Sequence, residues 1–402
     1  SCCTFARLRL CKSSAARHAL GGRTHLRRLH LTNGSCGKKG PQLVGLSQRF
    51  GAQRVLYARR VAGLAHCLMS DFMSIAEDPR WLPHRIDPAA GQVEFLHLDR
   101  SRLSEVGFLA DREGDRRMVE IAQVRQWRGD TGPVHFIFHT AFCRSTLLVR
   151  ALEQPGISTG LSEPGIIGSL VSAGATGAGL VGPVVGLLSR PWRRGEGHGE
   201  DEAVFVKPTN HANSLIPALM EAAPQARAIL MTNPMPSFLA AVTRKGMMGR
   251  RWARQLYLEL MGYAGMNLGM DGREQFAMTD LQAGGLAWLL NQRYFDALAR
   301  RYGDRVRVLD GDRFDAERAR TLAAIGAFTR VGIDEDKAQA IAAGPAFSHD
   351  AKTGGDYTQK AKRDAQATQS RVVEDEIAKV GEWVDLIARQ AGLEVPVHQT
   401  LF

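Results

Sequence analysis

The amino-acid sequence predicts an α/β protein with a central parallel sheet and a helical C-terminal part. From Pro133 onward, short apolar runs alternate with longer segments of helical periodicity. Some of the short runs, such as VHFIF, are apolar almost throughout, which is typical of strands buried on both faces. Such alternation implies right-handed crossovers that place helices on both faces of the sheet, giving three layers.

The individual elements can be assigned in order along the chain. The predicted strands are VHFIFHT, a short one near ISTGL, AVFVKPT, ARAILMT and RVRVLD. The predicted helices are STLLVRALEQ, SLIPALMEAA, PSFLAAVTR, RRWARQLYLELMGYAG, LQAGGLAWLLNQRYFDALARRYG, ARTLAAIGAFTRVG and SRVVEDEIAKVGEWVDLIARQAGL. The long helices therefore concentrate in the C-terminal half.

One uncharged run, Pro164–Ser189, is long enough to be weighed as a membrane span. Seven of its 26 residues are glycine and two are proline, so its hydrophobicity is low for a spanning helix. We expect a helix followed by a flexible Gly-rich loop over residues 173–189, which would be suited to act as a lid.

Upstream of Pro133 the chain predicts two further parts. Residues 70–130 contain turn signals and short alternating stretches such as QVEFLHL, which indicate a small lead-in segment with one or two strands. Residues 1–65 are predicted to be a basic, disordered leader, with a transit-peptide-like role as the alternative. The main domain is then expected over residues 133–402.

The net charge of +11 does not describe the folded part of the chain. Residues 1–60 contain 13 Lys and Arg and no Asp or Glu, which leaves 39 basic and 41 acidic residues in the remainder. A nucleic-acid-binding face should belong to a folded element, so we expect no nucleic-acid partner. The first forty residues lack the apolar core of a secretory signal, and only Cys67 and Cys143 lie beyond them. This pattern predicts a reducing, cytoplasmic setting.

The ends of the predicted strands direct attention to a ligand site, because ligands of parallel sheets bind beyond the carboxyl ends of the strands. Residues 139–146, 163, 207–210 and 232–237 occupy these junctions. At the first, a helix that begins near Ser145 offers unpaired amides to an anion, and Arg144 could add a guanidinium. In the alternative interpretation, Ser145 is an ordinary N-cap and Arg144 a solvated side chain.

At this first junction the stretch FHTAFCRSTLLVRAL resembles the loop of sulfotransferases, which has the form P-[KR]-S-G-T-T-x-L. The likeness extends from about Pro133 to the C terminus, and DPRWLPHRIDP is similar to the lead-in of bacterial members. Aligned without a gap, Ser145 and Thr146 take the two Thr positions and Arg144 takes the Gly; with a one-residue gap, Arg144 takes the basic position. The resemblance implies a P-loop-like three-layer αβα fold.

The resemblance also implies roles for two other junctions. Glu163 and Pro164 match the E-P pair whose carboxylate is the general base in glycan-type sulfotransferases. Lys207 matches a Lys that contacts the transferred sulfuryl group. The interpretations without this chemistry are a Glu that stabilises the start of a helix and a Lys that ends a strand by chance.

The donor implied by the resemblance is 3′-phosphoadenosine-5′-phosphosulfate (PAPS), with no metal. Its 5′-phosphosulfate would be held by the backbone amides of residues 140–146, including Thr140 and Cys143, and by Ser145 and Thr146. Anchored on Asn233 and Pro234, however, Thr232 and Ala240 occupy the Arg and Ser positions that grip the 3′-phosphate in the family. The possible substitutes are Ser237, Arg244, Lys245 and, in a C-terminal Gly-containing loop, Lys352.

Three functional hypotheses follow from the sequence. The first is a sulfotransferase-like enzyme in which Glu163, Lys207 and Arg144 act on a small-molecule or glycan acceptor. The second is a catalytically degenerate protein of the same fold that binds another phosphate-bearing ligand or partner. The third, a nucleotide kinase, is disfavoured because GxxxxGK[ST] is absent. The acceptor and the oligomeric state are not indicated by the sequence.

Overall fold

The computed structural model describes residues 71–195 except 106, 201–348, 370–395, 397 and 400–402. They belong to one compact unit, residues 63–402. The leader predicted over residues 1–65 lies outside the described residues. The strands are β1 (Trp81–Asp87), β2 (Gln92–His97), β3 (Arg116–Glu120), β4 (Val134–His139), β5 (Ser158–Ser162), β6 (Ala203–Lys207), β7 (Ala228–Thr232) and β8 (Val306–Asp310).

The helices surround these strands and dominate the C-terminal half. They are α1 (Ile121–Gln126), α2 (Ser145–Ala151), α3 (Gly165–Ser172), α4 (Gly174–Ala178), α5 (Val181–Leu188), α6 (Ile216–Ala222), α7 (Met235–Arg244), α8 (Gly246–Met261), α9 (Gly272–Ala277), α10 (Asp280–Tyr302), α11 (Gly311–Ala316), α12 (Arg318–Thr329), α13 (Glu335–Ala342) and α14 (Arg371–Gln390). A 3₁₀ segment, Asn210–Leu215, follows β6.

The predicted α/β class is confirmed by a five-stranded parallel sheet in the order β5-β6-β4-β7-β8. Alternate side chains of its strands enter two separate apolar cores, as period-two geometry requires. Phe136 and Phe138 of β4 face one core, and Ile137 faces the other. Both faces of the sheet are therefore covered, and every residue of β4, β5, β6 and β7 is buried.

The lead-in segment forms an antiparallel sheet in the order β1-β2-β3, one strand more than the one or two that the sequence predicted. Its apolar side chains share a core with one face of the parallel sheet. The buried guanidinium of Arg190 secures this junction by donating to the carbonyl oxygens of Ile75, Ala76, Asp78 and Trp81. Burial lowers the pKa of Arg190 to about 9.

The flexible Gly-rich loop predicted at 173–189 is wrong, because α4 and α5 occupy most of this segment. Its glycines allow close packing. A Cβ at Gly177 would lie 2.0 Å from the Leu170 carbonyl oxygen, and one at Gly186 would lie 2.5 Å from the Trp127 ring. Val184, Leu187 and Leu188 are buried, so the segment is part of the core and is not arranged as a lid. No helix in the described ranges has the length and apolarity to cross a bilayer.

Candidate active site

A buried lysine and a glutamate meet where two neighbouring strands end. Lys207 is the last residue of β6 and is fully buried, and its Nζ bonds to the Glu163 carboxylate just beyond β5. The backbone fixes this pairing, since the Glu163 N–H donates to the Lys207 carbonyl at 2.7 Å. Phe108 of the lead-in segment covers Lys207, with Nζ 5.3 Å from the ring centroid. Glu163 is partly exposed, at 16% of its side chain, so the pair is accessible from the Glu163 side.

The β4–α2 loop, residues 140–144, borders this pair on the next strand of the sheet. Ala141, Phe142 and Arg144 have φ values of 72°, 57° and 63°, in the left-handed region that non-glycine residues seldom adopt. Arg144 is the N-cap of α2 and Ser145 its first helical residue, which does not support Ser145 as the N-cap. The left-handed conformation of Arg144 is one that glycine adopts more readily than other residues.

The backbone of the same loop packs closely against the start of α11. Gly311 begins α11, and a Cβ there would lie 2.4 Å from the Cys143 carbonyl oxygen. The Thr140 N–H donates to the Met231 carbonyl at 3.0 Å, and the buried Cys143 thiol contacts the same oxygen at 3.6 Å. Cys143 is therefore a fully buried packing residue.

Three of the buried polar atoms that have no hydrogen-bond partner among the described residues lie at the ends of β4, β5 and β6. They are Thr140 Oγ1 after β4, Ser162 Oγ at the end of β5 and Asn210 Nδ2 after β6. Buried polar groups are nearly always satisfied in folded proteins. Their grouping beside Lys207 and Glu163 marks this edge as a place where a polar ligand or water would complete the structure.

On the opposite flank of the loop, towards β7 and β8, the charged groups pair with one another. The Arg144 guanidinium bonds to Asp312 and lies 3.1 Å from the Asp315 carboxylate, both on α11. The Ser237 hydroxyl donates to Asp312 at 2.8 Å. Arg144 therefore points towards α11 beyond β8, whereas Lys207 lies on the other side of β4.

The positions expected to hold a 3′-phosphate carry no cation. Thr232 is buried, and its hydroxyl accepts a hydrogen bond from Gln292 at 2.6 Å. Ala240 is buried in α7. Among the substitutes, Ser237 lies in the first turn of α7, whereas Arg244 and Lys245 lie exposed at its far end, about two turns away. Lys352 lies outside the described residues.

Some residues at the site were missed by the sequence analysis. His211, in the 3₁₀ segment after β6, pairs with Glu259 of α8 at 2.7 Å, and the Trp252 indole N–H approaches its other ring nitrogen at 3.3 Å. The hydrogen bond to Glu259 raises the pKa of His211; burial opposes the rise, and the charges of Glu259 and Glu163 add to it. Trp252 also contacts Phe142 of the loop.

His139 was likewise missed as a side chain, although it ends the strand that leads into the loop. It is buried, its Nδ1 accepts from the Ala141 N–H at 3.1 Å and its Nε2 lies 3.1 Å from the Pro208 carbonyl oxygen. A histidine at the carboxyl end of a predicted central strand was the available signal. Within the described ranges, no group of three or more His, Cys, Asp or Glu residues is arranged as a metal site.

Comparison with solved structures shows a distant similarity. The structure is similar to the sulfotransferase domain from the curacin biosynthetic pathway, with 12% sequence identity and a TM-score of 0.37. The match covers 67% of this chain and 100% of that domain. No protein-family model matches the sequence, and no curated protein matches it.

Proposed function

We propose that this protein is a sulfotransferase-like enzyme that transfers a sulfuryl group from PAPS to a hydroxyl or amine of a small-molecule or glycan acceptor. The observation that carries the proposal is the Lys207–Glu163 pair, formed at the ends of adjacent parallel strands beside the 140–144 loop. A fully buried lysine at the carboxyl edge of a sheet is costly unless it has a partner or a function. We propose a reducing, cytoplasmic setting, on the cysteine usage alone.

The residues of the loop fit the phosphosulfate end of such a donor. The first amides of α2, at Ser145 and Thr146, have no acceptor within the helix because they lie in its first turn. The Thr140 hydroxyl is buried without a partner among the described residues and has a hydrogen to donate. These groups would bind oxygens of the donor, and PAPS would supply the activated sulfuryl group.

Lys207 would stabilise the negative charge that develops during transfer. Its ammonium is preorganised by the strand and by burial, so it acts in a site of low dielectric where a charge interaction is strong. In the free protein its bond to Glu163 satisfies the charge. An incoming anion would replace Glu163 as its partner, which leaves that carboxylate ready for a second role.

Glu163 would accept the proton of the acceptor. The acceptor oxygen or nitrogen forms the new bond to sulfur, the bond between sulfur and the phosphate oxygen breaks, and the acceptor proton moves to the Glu163 carboxylate. Arg144 is not assigned to this step, because its guanidinium bonds to Asp312 and Asp315 on the far side of β4. The sequence prediction that Arg144 assists transfer would require those carboxylates to release it.

Transfer of radiolabelled sulfate from PAPS to a panel of phenols, alcohols, amines and glycans tests the proposal. We expect activity in the wild type and a loss of at least about 100-fold in Glu163→Ala and Lys207→Ala. Lys379→Ala, which removes an exposed lysine of α14, is the matched control and should keep full activity. Undiminished transfer in both site variants would refute the mechanism.

A second candidate function is favoured by the flank that faces α11. Thr232 is satisfied by Gln292, and Ser237 is satisfied by Asp312, so the expected 3′-phosphate positions present no cation and one nearby carboxylate. On this alternative the protein is catalytically degenerate and binds another phosphate-bearing ligand or partner. Thermal unfolding with adenosine 3′,5′-bisphosphate, AMP or ATP with Mg²⁺ separates the candidates, because a bound ligand raises Tm. Selective stabilisation by the bisphosphate supports the PAPS proposal, equal or better stabilisation by AMP supports the alternative, and preference for ATP with Mg²⁺ indicates a kinase.

A further inference from the structure

The hydrogen bonds of His139 specify the protonation state of its ring. Nδ1 accepts from the Ala141 N–H, so it carries no proton. Nε2 faces the Pro208 carbonyl oxygen, which can only accept, so Nε2 carries the proton. The arrangement therefore requires the neutral ring with its hydrogen on Nε2, and a doubly protonated ring would bring two donors together at Ala141.

The Ala141 bond lies where the loop conformation most needs support. Ala141 and Phe142 both have positive φ, and a non-glycine residue held there costs free energy that the surrounding structure must offset. The bond to Nδ1 fixes the N–H of the first of these residues. The Asn213 side chain in turn donates to the His139 carbonyl at 3.0 Å, which anchors His139 itself.

His139 also connects the loop to the strand end that carries Lys207. Pro208, whose carbonyl oxygen faces Nε2, directly follows Lys207 in the chain. One imidazole thus ties the first turn of the loop to the end of β6. The loop follows β4, whereas Lys207 ends β6, and this ring sets their relative position.

Charged groups on the surrounding elements act on the His139 ring in opposite directions. Glu163 Oε1 lies 3.9 Å from Nε2 and favours a charged ring, whereas the Lys207 ammonium, bound to that same oxygen, opposes it. His211 lies in the 3₁₀ segment that packs against β4, and Arg144 at the end of the loop is bound to Asp312 and Asp315. Burial of His139 favours the neutral ring.

We propose that His139 is a positioning residue: its neutral ring holds the 140–144 loop in the conformation that binds an anion and aligns the loop with Lys207, and protonation of Nδ1 releases the loop. The identity of the anion rests on the function proposed above. The tautomer and its effect on the loop rest only on the contacts of His139.

Two substitutions of His139 each remove one of the two hydrogen bonds that its ring makes. His139→Asn places an acceptor near the position of Nδ1 and keeps the bond from Ala141, whereas His139→Gln places a donor near the position of Nε2 and keeps the bond to Pro208. Each variant loses one hydrogen bond, so their losses of Tm should be similar. For adenosine 3′,5′-bisphosphate measured by calorimetry, we expect His139→Gln to weaken binding about tenfold and His139→Asn to stay within about threefold.

The pH dependence provides a readout that a purely structural role would not change. Lowering the pH adds positive charge, which by itself favours binding of an anion. We expect the wild type to bind the bisphosphate more weakly as His139 becomes protonated, and His139→Asn to lack this decrease. Equal weakening in the two variants, or the same pH profile in His139→Asn as in the wild type, would overturn the proposal.

The imidazole ¹⁵N spectrum of selectively labelled, unliganded protein tests the tautomer without any ligand. The His139 signals, identified by their absence in His139→Gln, should show a protonated Nε2 and an unprotonated Nδ1 at about pH 7.5, above the ordinary pKa of histidine. A proton on Nδ1 would overturn the proposal. If the spectrum is as expected but the bisphosphate fails to bind the wild type, the PAPS proposal fails while the role of His139 in the loop stands.

Discussion

The two flanks of the 140–144 loop differ in the charged groups that they hold. On the β6 flank, Lys207 and Glu163 satisfy each other, and polar atoms of Thr140, Ser162 and Asn210 lack partners among the described residues. On the β8 flank, Asp312 and Asp315 engage Arg144, and Asp312 also engages Ser237. Whether a basic residue in a loop motif can bind a ligand therefore depends on the carboxylates that surround it. The flanks predict different responses to substitution.

The largest effect is expected from removing the lysine of the β6 flank. Lys207→Ala leaves the Glu163 carboxylate partly buried without its partner, which we expect to destabilise the protein by about 3 kcal/mol. Urea unfolding measures this cost. The double variant Lys207→Met/Glu163→Gln removes both charges and should recover much of the stability. A single variant as stable as the wild type would show that the pair does not form.

A smaller but still substantial effect is expected where the β8 flank supports the loop. In Gly311→Ala the new methyl group meets the Cys143 carbonyl, and the backbone must move, at a cost of about 2 kcal/mol. Gly182→Ala in α5 is the matched control, because a Cβ there meets nothing within 4 Å and alanine favours a helix. Thermal unfolding should show a lower Tm for the first variant and an equal or higher one for the control.

Removing a carboxylate from the β8 flank should make that flank more favourable to a bound anion. Asp312→Asn removes the negative charge beside Arg144 and Ser237, so we expect adenosine 3′,5′-bisphosphate to bind up to about tenfold more tightly. The stability should change by less than about 1 kcal/mol, because the Arg144–Asp312 pair is partly exposed. Asp304→Asn makes the same charge change before the amino end of β8 and should leave calorimetric affinity unchanged. Equal effects of both variants would mean that only the overall charge matters.

The smallest effect concerns the His211–Glu259 pair beside the β6 flank. Because this pair raises the pKa of His211 above 6.5, its contribution to stability is fully present below that pH and is lost as the pH rises through the raised pKa. The contribution should be below about 1 kcal/mol, since both side chains are partly exposed. Glu259→Gln should therefore reduce the unfolding free energy at about pH 6 more than at about pH 9. A uniform loss at both pH values would show that the charge of His211 does not contribute.

The pattern of apolar residues was sufficient to predict the sheet and the long helices, because strands such as β6 and β7 are covered on both faces and consist mostly of apolar residues. It failed at residues 173–189, where glycine indicated flexibility but serves close packing against Leu170 and Trp127. Tertiary contacts decide between those two uses of glycine. A window of sequence does not contain them.

Strand ends predicted the candidate residues Glu163 and Lys207, and the structure brings them together. The partners of Arg144 were not predictable, since Asp312 and Asp315 lie about 170 residues beyond it in the chain. His139 and His211 were missed for a related reason. The role of His211 depends on its bond to Glu259 and that of His139 on its bonds to Ala141 and Pro208, and no local motif specifies these bonds.

The central claim is that the carboxylate of Glu163 takes the acceptor proton at the β6 flank. The most direct test compares single-turnover sulfate transfer from PAPS in Glu163→Gln and His211→Gln. Both variants replace a titratable group near the site with a neutral amide. We predict a loss of at least about 100-fold in Glu163→Gln and a change of only a few-fold in His211→Gln. Full activity in Glu163→Gln together with a large loss in His211→Gln would contradict the account.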